Sequence, residues 1–321
     1  MRTVLIGNPV AGRKGGLPTN ASTIDAAVAA LHAVGVVPDV WLTRAPDDPL
    51  AFARRAVAEG YERIIGAGGD GTVEAIAQAL VGTPVSLGVM PLGSVMNLAR
   101  TLGIPRDLHE AARLIASGHL LCMDVGQAND RYFLEYAGVG LDAALYPLTE
   151  RLDSGQWASL RDLLRVVLRY RPQKVTVSID GEVHTLRALL VVVANTPYLG
   201  PAVELTPEAK VDDARLDVKV FDRFSLLELV RYGVQLLRGQ RPRHPRVYCF
   251  RGRTVAVSSS RPLPAHADIQ PVGTTPITFR VVPRALRVIA NPTLWRPSEL
   301  SPVSRPLATL ETAPHRAAAG C

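Results

Sequence analysis

The stretch Gly66-Ala67-Gly68-Gly69-Asp70-Gly71-Thr72 combines residue types that can do chemistry on a phosphate. Glycines let the backbone approach an anion closely, and the free N–H groups that open a following helix point toward it. Thr72 is of a type that caps such a helix. Asp70 is the informative residue, because a carboxylate beside a phosphate is repulsive unless a cation lies between them. Its position points to Mg²⁺ carried in with a nucleotide polyphosphate. Gly66, Gly68 and Gly71 also spell the dinucleotide fingerprint, which requires an acidic residue about 20 positions further on to hold a ribose. No Asp or Glu occurs from Ala75 to Arg106, so that reading is excluded. The plain alternative is a tight turn with no ligand, but the glycine and threonine positions around Asp70 exceed what a turn needs.

The elements that must position this loop alternate. Apolar runs at Thr3–Ile6, Val36–Thr43, Arg63–Ile65 and Val85–Met90 read as strands. Helical patterns at Thr23–Val34, Pro49–Glu59, Val73–Leu80, Val95–Leu102 and Asp107–Ser117 intervene or follow. Regular β–α alternation predicts a parallel sheet covered on both faces, with its ligand at the C-terminal edge of the strands, where Asn8, Thr43, Asp70 and Ser94 gather. The loop after the first strand, Gly7 to Gly16, has a Gly7-x4-Gly12 spacing. Arg13 and Lys14 stand where a P-loop needs Lys and Ser or Thr, so it is no P-loop, although both could reach phosphates. From Leu120 onward strand-like segments dominate, with Asp180-Gly181 as a hairpin turn and clear helices only at Trp157–Tyr170 and Ser225–Arg238. The fold class is α/β: an N-terminal parallel-sheet nucleotide-binding domain with helices on both faces, plus a β-rich antiparallel, sandwich-like second domain. The boundaries expected are 1–123 rejoined by 285–291, then 124–284, with a disordered tail at 292–321.

The chain of 321 residues is 47% hydrophobic and 20% charged, which suits a globular protein with a sizeable core. Its net charge of +7, with 5% aromatics, does not suit a nucleic-acid stacking platform but fits anionic membrane surfaces or phosphates. Residues 223–253 carry eight Arg against one acid, Glu228. Three cysteines without metal spacing read as reduced, intracellular thiols. Val4-Leu5-Ile6 is too short for a signal peptide, and no run is long enough to span a bilayer. A cytoplasmic protein, peripheral to the membrane, is expected.

Taken together, Asn8-Pro9 with its glycine loop, Gly68-Gly69-Asp70-Gly71-Thr72, and Pro91-Leu92-Gly93-Ser94 running into Asn97-Leu98-Ala99-Arg100 resemble the diacylglycerol kinase and sphingosine kinase family, in particular its bacterial lipid kinases. Gly138-Val139-Gly140-Leu141-Asp142-Ala143 resembles the family's GxGxDA element. Ala209-Lys210-Val211-Asp212-Asp213 resembles its metal loop, and Asp268 with Thr275-Pro276 its DGE…TP segment. The match covers about residues 1–292. The resemblance implies an ATP-dependent lipid kinase with Mg²⁺, acting on a diacylglycerol-like or long-chain lipid at a membrane surface, and it admits a homodimer. ATP would be held by Asn8, Pro9, Gly12, Thr43, Gly68, Gly69, Asp70, Gly71, Thr72 and Ser94. Asp268 and Asp70 would be catalytic, Asp268 as general base. A structural Mg²⁺ would use the Asp213 carboxylate and the main-chain carbonyls of Lys210 and Arg215. The last strand, Ala285–Ala290, would return to the first domain.

The chain departs from the family pattern at several points. Glu74 stands where the family usually has Asn, Ser94 where it has Thr, and Val95-Met96-Asn97 where a Gly/Ala-Asn-Asp run is usual. Ile269-Gln270 replaces Gly-Glu, and Ala214 replaces Gly. His266 is a rival base, sharing a strand face with Asp268; the family register favours Asp268. Asp142 is read as a helix cap. Ser225–Arg238 is read as packing on the second domain, with membrane docking as the alternative. A kinase of NAD, which shares the GGDGT loop, and a nucleotide-binding protein without catalysis are the competing functions.

Overall fold

The computed structural model describes residues 1–14, 17–18, 22–153, 159–200 and 203–292. The tail expectation therefore falls almost wholly outside the described residues. The chain opens with β1 (Thr3–Gly7), α1 (Ile24–Ala33), β2 (Asp39–Leu42), α2 (Asp48–Ala58), β3 (Arg63–Gly68), α3 (Asp70–Leu80), β4 (Ser86–Pro91), α4 (Asn97–Thr101) and α5 (Leu108–Ser117). The strands run parallel in the order β4-β3-β1-β2. Every residue of β1, β3 and β4 is buried, which is why they read as unbroken apolar runs rather than alternating ones. The edge strand β2 is shorter than expected because it pairs with β1 over only four residues. The helix expected from Val95 starts at Asn97, because Met96 takes a left-handed conformation (φ 59, ψ 51). Caps set other ends: Thr23 accepts from the Ala26 N–H, Asp107 accepts from the Glu110 N–H, and Gly118 (φ 68) closes α5.

The second part contains β5 (Leu120–Ala128), β6 (Arg131–Phe133), β7 (Tyr136–Gly140), α6 (Leu141–Asp153), α7 (Ser159–Arg169), β8 (Gln173–Ile179), β9 (Glu182–Ala194), β10 (Leu216–Asp222), α8 (Leu226–Leu237), β11 (Val247–Gly252), β12 (Thr254–Ser259), β13 (Pro264–Ala267), β14 (Gln270–Thr274) and β15 (Ile277–Ile289). Its pairings are antiparallel, and Asp180-Gly181 (φ 49 and 94) turns the β8–β9 hairpin as expected. The α/β class with a β-rich second part is thus observed. β15 joins the two parts. It pairs antiparallel with β5 and β12, and its end lies parallel to β4, with Arg287 opposite Ser86. Leu286, Val288 and Ile289 belong to the same apolar cluster as Val4, Ile64 and Leu87.

The register of β15 shifts between Val282 and Leu286, and Asp124 holds that irregularity. Its fully buried carboxylate accepts the Arg284 N–H (2.7 Å) and the Ala214 N–H (2.5 Å), both residues at positive φ. Cys122 is a free thiol. Among the described residues no helix is long and apolar enough to cross a membrane. Removing the Asp124 carboxylate leaves both amides without their acceptor, and Asp124→Ala is expected to cost about 2–4 kcal/mol. A urea midpoint unchanged from wild type would contradict this.

Candidate active site

Parallel strands end together at one edge, and their loops lock onto each other. The Asn8 N–H donates to the Ala67 carbonyl (2.9 Å) and the Asn8 amide to the Thr72 hydroxyl (3.4 Å), tying the loop after β1 to the first turn of α3. Pro9 is exposed in that loop, and Gly12 is buried at φ 75. The Thr43 N–H donates to the Gly7 carbonyl (2.9 Å) at the same edge. The Gly68 carbonyl accepts from Leu92 (3.1 Å) and Gly93 (3.0 Å), which brings Ser94 beside the turn. A Cβ on Gly68 would fall 2.5 Å from the Thr72 hydroxyl, and one on Gly93 2.6 Å from the Gly69 Cα. These glycines are needed for loop-on-loop contact whether or not a phosphate binds. α3 begins at Asp70 with Gly69 at its N-cap and no side-chain cap, so Thr72 sits inside the first turn instead of capping it. That leaves the first-turn N–H groups and the positive end of the helix dipole facing the edge.

Four carboxyl groups converge behind this turn. Asp70 Oδ2 accepts the Met96 N–H (2.8 Å), while Oδ1 is buried with no N–H or O–H donor among the described residues. The Glu135 carboxyl lies within hydrogen-bond reach of Asp70, and its Oε2 accepts the Asn97 amide (3.1 Å). Burial, then the Asp70 and Asp268 charges, push the Glu135 carboxyl well above the usual range. Burial also raises Asp70, against the hydrogen bond from Met96. Two carboxylates so close resist ionising together, a strain that a cation at Asp70 would relieve. Glu74 is pushed up to about 9 by burial, with Asp268 the next cause. Glu135 was not singled out in the sequence. Its signal there is an acid interrupting the apolar run Tyr132–Val139.

Asp268 is held by backbone donors. It lies past the end of β13 at φ 45, and its carboxylate accepts the N–H groups of Leu134 (2.6 Å), Glu135 (2.9 Å) and Tyr136 (3.1 Å). Burial raises it to about 6 despite those three donors. With Oδ1 taking two N–H groups and Oδ2 one, Asp268 holds the segment that carries Glu135. His266 is no better as a base, because Nε2 pairs with Asp142 (2.8 Å) and Nδ1 with the Asp268 carbonyl (2.9 Å). Burial opposes its protonation, but the Asp142 bond and charge outweigh it and raise its pKa. Asp142 therefore serves His266 rather than capping α6. Ile269 packs on the glycine turn, where a Cβ on Gly71 would meet its Cδ1 at 2.8 Å.

The implied structural metal loop does not fit an ion. Asp213 Oδ1 accepts the Arg215 N–H (3.1 Å) and Oδ2 is bound by the Arg251 guanidinium, which also pairs with Asp217 (2.9 Å). The one carboxylate of the set already has a cation. Ala214 follows it at φ 55, and Lys210 is exposed. Among the described residues no cluster of three or more His, Cys, Asp or Glu could hold a metal on protein ligands alone. At the glycine turn, Asp70 with its orphaned buried oxygen fits a divalent ion that brings phosphate oxygens with it.

A parallel-sheet unit with a glycine turn and Asp70 at its strand ends is thus joined to an antiparallel unit that brings Glu135 against Asp70. Residues 2–128 match the diacylglycerol kinase catalytic domain, and residues 136–290 match the YegS C-terminal NAD kinase beta sandwich-like domain. A diacylglycerol kinase of Staphylococcus saprophyticus is 27% identical over 283 residues, covering 87% of this chain and 92% of its own. One of Staphylococcus aureus is 29% identical over 297 residues, covering 90% and 92%. A crystal structure described as a diacylglycerol kinase from Bacillus anthracis superposes with a TM-score of 0.73 at 22% identity, covering 92% of this chain and 98% of that one. The chain belongs to the diacylglycerol kinase family and is a lipid kinase.

Glu74 gives a stability test of the carboxyl cluster. Its folded pKa of about 9 lies above the ordinary glutamate value of 4.5, so its neutral form favours the fold. That contribution is complete at low pH and is lost as pH rises toward 9. Glu74→Gln should melt higher than wild type at pH 8, by roughly 2–4 °C per kcal/mol relieved, and nearly equally at pH 4. Equal melting at both pH values would show that Glu74 is not buried as a neutral acid.

Proposed function

We propose that the protein transfers the γ-phosphate of ATP to a hydroxyl of a diacylglycerol-like or long-chain lipid at a membrane surface, in the cytoplasm. The observation that carries this reading is the Asp70–Glu135 pair set directly behind a helix N-terminus at the ends of parallel strands. The N–H groups of Gly69, Asp70 and Gly71 bind phosphate oxygens, and Asn8, Pro9, Gly12, Thr43, Gly68, Thr72 and Ser94 shape the nucleotide seat. Asp70 would hold Mg²⁺ together with the phosphates, and the ion would supply positive charge against the charge developing on the transferred group. Glu135 is half-buried, so a hydroxyl can reach it, and with a cation at Asp70 offsetting the charge that raises its pKa it would be the proton acceptor. Asp268 keeps the 134–136 segment in place, and Asn97 orients the Glu135 carboxyl.

A kinase of NAD is the second reading, favoured by the match of residues 136–290 to an NAD kinase beta sandwich-like domain. Against it stand the relatives named diacylglycerol kinase, which align over most of the chain. Incubation with γ-labelled ATP, Mg²⁺ and either diacylglycerol in mixed micelles or NAD separates the two. The label is expected in the lipid, and Asp70→Asn is expected to lower its transfer about 10²-fold or more. Label in NADP, or in neither product, would overturn the proposal.

A further inference from the structure

Two helices of the second unit expose rows of large apolar side chains. On α7, Leu160, Leu164 and Leu168 are 46%, 51% and 61% exposed at four-residue intervals. Arg161, Arg165 and Arg169 follow each of them by one position and are exposed as well. On α8, Leu227, Val230, Val234 and Leu237 are 78%, 55%, 39% and 60% exposed, with exposed Arg231 and Arg238 among them. The other face of α8, through Tyr232 and Leu236, packs on Phe221 and Phe224, so only half of the helix does the packing expected of it. Val166 and Tyr170 pack against that same apolar cluster, which places both helices on one side of the unit.

Apolar side chains interleaved with arginines on an exposed helix face fit the boundary between headgroups and acyl chains. The acids nearby are already engaged: Asp162 pairs with Arg165 (2.6 Å), and Glu228 is held by Ser225 and Arg246. The remaining charge is positive, which complements an anionic bilayer and opposes packing against a second copy of the same face. Of the arginines in 223–253, Arg223, Arg241, Arg246 and Arg251 are in ion pairs with Asp222, Glu204, Glu228, and Asp213 and Asp217, whereas Arg231 and Arg238 lie among the exposed apolar side chains of α8.

We propose that the exposed faces of α7 and α8 form one docking surface for anionic lipid bilayers. The proposal deepens the lipid-kinase reading and rests on it for its purpose, while its test reads binding alone. Full-length protein is sedimented with vesicles of phosphatidylcholine, with and without phosphatidylglycerol, over a range of salt. Wild type is expected to pellet with the anionic vesicles, and less so as salt rises. Leu164→Ser combined with Leu227→Ser, and separately Arg231→Gln combined with Arg238→Gln, should each weaken partitioning about tenfold or more. Val37→Ser combined with Arg54→Gln, exposed on the first unit, should change nothing. Circular dichroism checks that each variant is folded, and phosphorylation of a short-chain diacylglycerol dissolved below its micelle concentration should be the same in all.

Wild-type partitioning by either helix variant would overturn the proposal, as would equal binding to neutral vesicles at every salt concentration. A wild-type dimer that these variants dissociate without loss of vesicle binding would assign the face to a second copy and overturn it too. Salt-sensitive, variant-sensitive binding by a protein that phosphorylates no lipid would uphold the docking surface and remove the kinase reading.

Discussion

Asp268 accepts three consecutive N–H groups, from Leu134, Glu135 and Tyr136, and the site depends on that contact. The segment it holds joins β6 to β7, and it carries Glu135 toward Asp70 at the head of α3. Two halves of the chain more than 130 residues apart are thereby fixed to each other at the point where chemistry is expected. The contact also concentrates negative charge. Glu74 and Asp268 are buried and Asp70 and Glu135 half-buried near one another, and burial is the largest cause of the raised pKa in all four. A fold that keeps such a cluster carries a standing destabilisation, of a kind concentrated at functional sites.

The departures from the family pattern make sense as a rearrangement of the same charge. Glu74 stands where an amide is usual, and Asn97 stands where an acid is usual. The Asn97 amide donates to Glu135, so an acid at 97 would add a further carboxylate against the Asp70–Glu135 pair. Glu74 carries an acid on the other side of the cluster and stays neutral by burial. At the second departure, Ala214 follows Asp213, whose carboxylate is held by Arg251. A guanidinium fixed by two aspartates supplies the positive charge that a divalent ion would otherwise bring.

Much of this was legible in the sequence because it is local. The glycine turn, the strand-helix alternation and the Asp180-Gly181 hairpin are set by neighbouring residues, and each was found where the pattern put it. What was hidden depends on partners distant in sequence. Asp142 reads locally as a helix cap and is claimed by His266, 124 positions away. Asp213, a metal ligand by the family resemblance, is held by Arg251, 38 positions away. Asp268 follows a strand pattern but turns out of it at φ 45, which converts a side chain expected to face substrate into one that grips the backbone. Glu135 was visible only as one acid in an apolar run, and nothing local says which charge it will meet.

The central claim is that Glu135, set by Asp268 against Asp70, takes the proton from the accepting hydroxyl. The direct measurement is single-turnover phosphoryl transfer by Glu135→Gln beside its nucleotide affinity. Gln keeps the shape and a carbonyl to accept the Asn97 amide but cannot take the proton. The account predicts ATP affinity close to wild type with transfer slowed by about 10²–10⁴-fold. Transfer at the wild-type rate, with Glu135→Gln folded and saturated with nucleotide, would contradict it.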